Sequence, residues 1–116
     1  YIGVFQNEWS DMADIVLPGQ YYSEKEGTYT NKNQLVQSTE IAVQGLRRTR
    51  PEWQILSELS KVFGQKNSFY TLQDVFEVMT KEVKAFSGIS YKDLSGDGRE
   101  LSHRIEDAGM KIVKEE

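Results

Sequence analysis

The spacing of apolar residues changes near residue 50, and this change limits the possible folds more than any other feature of the chain. Before it, apolar residues fall in short runs rich in β-branched and aromatic side chains, which are typical of strands. After it, they recur every three or four positions, which is typical of amphipathic helices. We therefore expect an α/β fold, with short strands in the first 40 residues and two main helices in the second half.

Two short strands are expected near the start of the chain. Residues 2–5 read Ile-Gly-Val-Phe, a pattern that predicts a strand buried on both faces. Residues 14–17 form a second apolar run, which Pro18 and Gly19 should end. Proline cannot donate a ladder hydrogen bond, and glycine permits a turn.

The segment that follows has no helical period. Residues 20–32 are rich in Tyr, Glu, Lys, Thr and Gly, so we expect an exposed loop with a brief strand at 28–30. Partial alternation over residues 34–40 favours one more extended segment.

The first main helix is expected over residues 51–63. Proline is favoured in the first turn of a helix, and Gly64 is suited to the position just past its end. Its apolar stripe consists of Trp53, Leu56, Leu59, Val62 and Phe63.

The second main helix is expected over residues 71–86, with Thr71 as its N-cap and Ser87-Gly88 at its end. Its stripe consists of Leu72, Val75, Phe76, Met79, Val83 and Phe86. Residues 1–94 are expected to form part of one domain. Residues 95–116 begin with a turn signal and have few large apolar side chains, so we expect a weakly ordered tail or a link to a following domain.

Composition excludes several classes of site. The 116 residues include no cysteine, so the chain has no disulfide, thiolate nucleophile or cysteine ligand for zinc or iron–sulfur clusters. A formal net charge of −4 disfavours general nucleic-acid binding. The longest aliphatic run, residues 15–17, is far shorter than the roughly 20 residues of a membrane-spanning helix. Because residue 1 is not methionine, we expect an excerpt of a longer chain.

Three arginines, Arg47, Arg48 and Arg50, lie just before the first main helix and are candidates for binding an anion. The amino end of a helix favours negative charge through its free N–H groups and its dipole. The alternative is that these arginines are solvated or paired with neighbours such as Glu52.

A longer motif covers residues 13–37. Its parts, in order, are Ala13-Asp14-Ile15-Val16-Leu17-Pro18, Glu24-Lys25, Gly27-Thr28-Tyr29, Asn31 and Gln37. This string resembles the molybdopterin oxidoreductase superfamily, in which Ala-Asp-Val-Val-Leu-Pro is followed by Glu-Lys, Gly-Thr-aromatic, Asn, Glu-Gly-Arg and Gln. The resemblance extends to residues 50–59 and 88–91.

The resemblance implies a fragment of the α/β domain that holds a pterin dinucleotide in catalytic members. The cofactor-binding positions carried over are Glu24, Gly27, Thr28, Asn31 and Gln37. The chain departs from the family at Asn33-Gln34-Leu35, where members have Glu-Gly-Arg. The loss of a flexible glycine and a forked arginine donor favours a degenerate, structural copy with no catalytic residue, metal ligand or cofactor of its own.

Within the superfamily, the motifs look closest to the large iron–sulfur subunit of NADH–quinone oxidoreductase, respiratory complex I. A formate dehydrogenase-like catalytic subunit comes second, and a stand-alone interaction domain is a third reading. In the first two readings, the parent protein is an oxidoreductase with iron–sulfur clusters. In the formate dehydrogenase-like reading, it also has a molybdopterin dinucleotide bound to molybdenum or tungsten. Its partners are expected to be other subunits and the remaining domains of its own chain, without nucleic acid or membrane insertion. We expect it on the cytoplasmic side of a bacterial inner membrane as part of a peripheral subunit, or otherwise in the cytoplasm.

Overall fold

The computed structural model describes residues 1–66 and 69–102. Its contacts divide the chain into two compact units, and each is described by itself. The first unit contains Tyr1–Glu26 and Glu40–Leu72. The second contains Gly27–Thr39 and the chain from Gln73 onward.

The first unit is built on a small parallel sheet. Strand β1 (Ile2–Gly3) pairs in parallel with β2 (Leu17–Pro18), and helix α1 (Glu8–Met12) lies between them in the chain. Gly19 extends the pairing through a parallel bridge to Arg50. The order strand, helix, parallel strand is that of a βαβ unit, here with very short elements.

The two strands form where we expected them, but they are shorter than expected. Only residues 2–3 and 17–18 are strand, and residues 2–5 are not buried on both faces, since Phe5 is 67% exposed. Pro18 is the last residue of β2, as expected, and Gly19 follows it. Proline is tolerated there because the Arg50 N–H donates to the Pro18 carbonyl at 3.2 Å and no donor is needed from Pro18 itself.

Helix α1 was not predicted, because its five residues are too few for a helical period. Its signal is the N-cap. The Asn7 side chain accepts hydrogen bonds from the backbone N–H of Trp9 and Ser10, and the Ser10 hydroxyl accepts one from the Asn7 N–H at 2.8 Å. This reciprocal capping box satisfies the free donors of the first turn.

Helix α2 (Glu52–Val62) confirms the first main helix. Pro51 is its N-cap, so the helix begins one residue later than expected, and Phe63 is its C-cap. Gly64 has φ +82°, and the N–H of Gln65 bonds to the Ser60 carbonyl at 2.9 Å. These features define a Schellman motif, which explains why glycine ends this helix.

The prediction of which apolar side chains of α2 are buried is wrong. Ile55 is the buried apolar residue of this helix, while Leu56 is 56% exposed and Val62 and Phe63 are each 80% exposed. Helical spacing identifies apolar rows, but only the rest of the fold decides which row is covered.

The second unit contains an antiparallel sheet in the order β3-β4-β5. Strand β3 (Gly27–Thr30) pairs with β4 (Leu35–Thr39), which confirms both extended segments expected here. Strand β5 (Arg99–Glu100) pairs with Leu35 and Val36 on the other side of β4.

Helix α3 (Leu72–Glu82) confirms the second main helix, but it ends at Glu82 instead of residue 86. Val83 is extended, and Lys84–Phe86 form a separate 3-10 turn. In an unbroken helix, Phe86 would lie about 15 Å along the axis from Phe76. The break instead brings the two rings to a centroid separation of 6.3 Å.

The core of the second unit is formed by Val36, Phe76 and Leu94, each at most 3% exposed. Tyr91 packs edge-to-face on Phe76 with ring centroids 5.6 Å apart. The remaining partly buried apolar side chains around this core are Met79, Phe86, Ile89 and Leu101.

The segment expected to be a weakly ordered tail is described only up to residue 102. The expected turn is present at 95–98, where Gly96 and Gly98 have positive φ angles, and β5 follows it. Residues 103–116 lie outside the described part of the chain. Among the described helices, none has the length and apolar character needed to cross a membrane.

Candidate functional site

Asn31 organises the turn between β3 and β4. Its side-chain oxygen accepts hydrogen bonds from the N–H of Asn33 at 2.9 Å and of Leu35 at 3.1 Å. Its backbone N–H also bonds to the Leu35 carbonyl at 3.0 Å, so the side chain and backbone together close the hairpin. This is the turn-forming behaviour for which asparagine is favoured.

Gln34 has φ +64° and is the one non-glycine residue of the described chain in the left-handed region. It stands where the resembling family has the glycine of Glu-Gly-Arg. The backbone conformation that suits glycine is therefore present although glycine is absent. A left-handed conformation costs an L-residue about 1–2 kcal/mol, so this turn is strained.

Thr28 and Gln37 lie on opposite faces of the hairpin. The register pairs Thr28 with Ser38 and Tyr29 with Gln37, and side chains alternate between the faces of a strand. Thr28 shares its face with the core residue Val36, two positions from Ser38 along β4. The register therefore places these two candidate binding residues on different faces of the sheet.

Gln37 instead holds the turn that precedes β5. Its side-chain amide donates to the Gly96 carbonyl at 3.2 Å. A Cβ built on Gly98 would lie 2.4 Å from the Val36 carbonyl oxygen and 2.5 Å from the Gln37 side chain. Gly98 is thus required both for close approach to β4 and for its φ of +77°.

Gly27 and Glu24 complete the set of candidates. Gly27 opens β3, and a Cβ there would meet only the Tyr29 ring, at 4.0 Å, so space does not require glycine. Glu24 belongs to the first unit, where it ends the 3-10 turn Tyr22–Glu24 and accepts from the Tyr21 N–H at 2.9 Å. Its carboxylate caps this turn.

An ion pair that the sequence did not indicate joins Lys25 to Glu52 in the first turn of α2. Their side chains are 21% and 35% exposed, so the pair is partly shielded from water. The Glu52 carboxylate lies against Gly19, where a Cβ would be 2.9 Å from its Oε1 atom. Glu52 also supplies the negative charge that the amino end of a helix favours.

The three arginines have different surroundings. Arg47 and Arg48 are exposed in the turn between Leu46 and Thr49, and neither has an ion pair within the described residues. Arg50 pairs with Glu58, with Nη1 and Oε2 2.6 Å apart, and not with Glu52 as one alternative expected. Both partners are more than half exposed, so this pair adds little stability.

Three of the candidate cofactor-binding residues use their side chains in local hydrogen bonds. Asn31, Gln37 and Glu24 each direct a side-chain hydrogen bond to the backbone of their own unit. The buried side-chain polar atom left without a partner among described residues is Ser57 Oγ, which lies on α2 and outside this segment. Within residues 1–66 and 69–102, no group of three or more His, Cys, Asp or Glu side chains is placed to hold a metal ion.

Comparison with protein families decides the relationship that the motifs indicated. The family model described as molybdopterin oxidoreductase matches residues 1–62, more than half of the chain. The chain belongs to the molybdopterin oxidoreductase family. Its mixed α/β structure of short strands and few helices is consistent with part of a domain of this family.

Individual relatives come from two branches of the family. The chain is 32% identical, over 97% of its length, to the F420-dependent formate dehydrogenase 2 subunit alpha of Methanococcus maripaludis. It is 31% identical, over 80% of its length, to a putative formate dehydrogenase of Bacillus subtilis. It is 33% identical, over 65% of its length, to the NADH-ubiquinone oxidoreductase 75 kDa subunit of Reclinomonas americana. The chain spans 17%, 10% and 11% of these relatives, respectively.

Proposed function

We propose that this chain is a structural part of a molybdopterin oxidoreductase subunit, in which the 24–37 segment maintains the fold instead of holding the pterin. The observation that carries the proposal is the direction of the Asn31 and Gln37 hydrogen bonds. Both side chains bond to backbone atoms of the second unit. The opposite faces of Thr28 and Gln37 support the same conclusion. The parent's cofactors are then bound by segments other than this one.

Among parent enzymes, a formate dehydrogenase-like subunit is favoured. Formate dehydrogenases predominate among the names of the relatives found, and one of them matches 97% of the chain. This reverses the order that the motifs suggested. The parent would then oxidise formate by means of a molybdenum or tungsten pterin and iron–sulfur clusters.

The complex I branch is the second candidate, and the match to the 75 kDa subunit favours it. In that case the chain is scaffold within a peripheral-arm subunit at the cytoplasmic side of the inner membrane. In both cases its partners are the remaining domains of a longer polypeptide and the other subunits of an electron-transfer complex.

The structural role is tested in the complete polypeptide that carries this sequence, purified with Asn31→Ala or Gln37→Ala. We expect a lower melting temperature and an unchanged ratio of molybdenum or tungsten to protein, measured by elemental mass spectrometry. Asn33→Ala is the matched control, since no hydrogen bond of its side chain is found within the described residues. Unchanged melting with a reduced metal ratio would contradict the proposal, as would a structure of that polypeptide with the pterin in contact with residues 24–37.

The two parent enzymes are separated by activity. The purified polypeptide, with the subunits that accompany it, is assayed for formate-dependent and NADH-dependent reduction of an artificial electron acceptor. Formate-dependent reduction supports the first candidate, and NADH-dependent reduction supports the second.

A further inference from the structure

We draw no further inference here: the strongest candidate, the cavity of about 290 Å³ between β1 and α1 in the first unit, carries none because its Tyr1, Gln6 and Ser10 side chains already form hydrogen bonds within that unit and nothing in the structure indicates a ligand.

Discussion

At the scale of single residues, the turn between β3 and β4 depends on two side chains with opposite effects. Asn31 stabilises it by accepting two backbone hydrogen bonds. Gln34 destabilises it by holding φ at +64°, which only glycine adopts without a steric cost. The turn thus has a backbone conformation that favours glycine, with glutamine in its place.

Gln34→Gly is expected to stabilise the chain. The substitution removes the steric cost of the left-handed backbone, which stabilises the folded chain, and it adds conformational entropy to the unfolded chain, which opposes this. The first effect is the larger, so we expect a net stabilisation of about 1 kcal/mol. Urea unfolding followed by circular dichroism measures it. Lys32→Gly, in the same turn but without a positive φ, is the control and should be neutral or destabilising. Equal stabilisation by both variants would show that Gln34 is not strained.

Asn31→Ala is expected to destabilise the chain by about 1 kcal/mol, because the N–H groups of Asn33 and Leu35 lose their acceptor. In a domain of this size, that corresponds to a fall in melting temperature of about 4–8 °C. Thr28→Ala should also lower it, through weaker packing on the core face of β3. Differential scanning calorimetry checks both, and a melting temperature no lower than that of Asn33→Ala would contradict the role of Asn31.

At the scale of elements, the contact between β4 and the 95–98 turn fixes strand β5. The turn approaches β4 so closely that the Val36 carbonyl would lie 2.4 Å from a side chain at Gly98. Gly96, two residues earlier, has nothing within 4 Å of a Cβ although its φ is also positive. A comparison of these two glycines therefore separates the effect of a positive φ from the effect of close approach to β4.

Gly96→Ala should cost about 1 kcal/mol, because only its left-handed backbone disfavours a side chain. Gly98→Ala should cost clearly more, about 3 kcal/mol, since it adds a clash with β4 that the backbone must move to relieve. Chemical denaturation of the two variants measures the difference. Equal losses of stability in the two variants would show that the 95–98 turn does not approach β4 closely enough to exclude a side chain at Gly98.

At the scale of the whole chain, apolar burial is uneven. The second unit has a compact core at Val36, Phe76 and Leu94, whereas the large exposed apolar side chains of residues 1–66 and 69–102 belong mainly to the first unit. Such exposure is typical of a surface that meets other protein.

This distribution predicts the effect of truncating two phenylalanines. Phe76→Ala should cost about 3–5 kcal/mol, since it leaves a cavity in the core, and it should unfold the second unit. Phe63→Ala should change stability by less than about 0.5 kcal/mol, because its ring is 80% exposed. Hydrogen exchange followed by mass spectrometry measures both effects. Loss of protection in β4 on Phe63→Ala would contradict the assignment of the core.

The sequence by itself determined the features that depend on neighbouring residues. Gly64 marked the end of α2, the spacing around Phe76 marked α3, and the motif over residues 13–37 marked the family. Each of these signals lies within one element or one continuous stretch, where backbone geometry and local hydrogen bonding are set by the residues themselves.

Only the tertiary structure decided which surfaces are covered and which side chains meet. The break at Val83, the pairing of Lys25 with Glu52 and the exposure of the α2 rows all depend on residues distant in the chain. The hairpin register likewise separated Thr28 from Gln37. Burial and pairing follow from where the chain folds back on itself, so periodicity shows which residues are apolar without showing which ones find a partner.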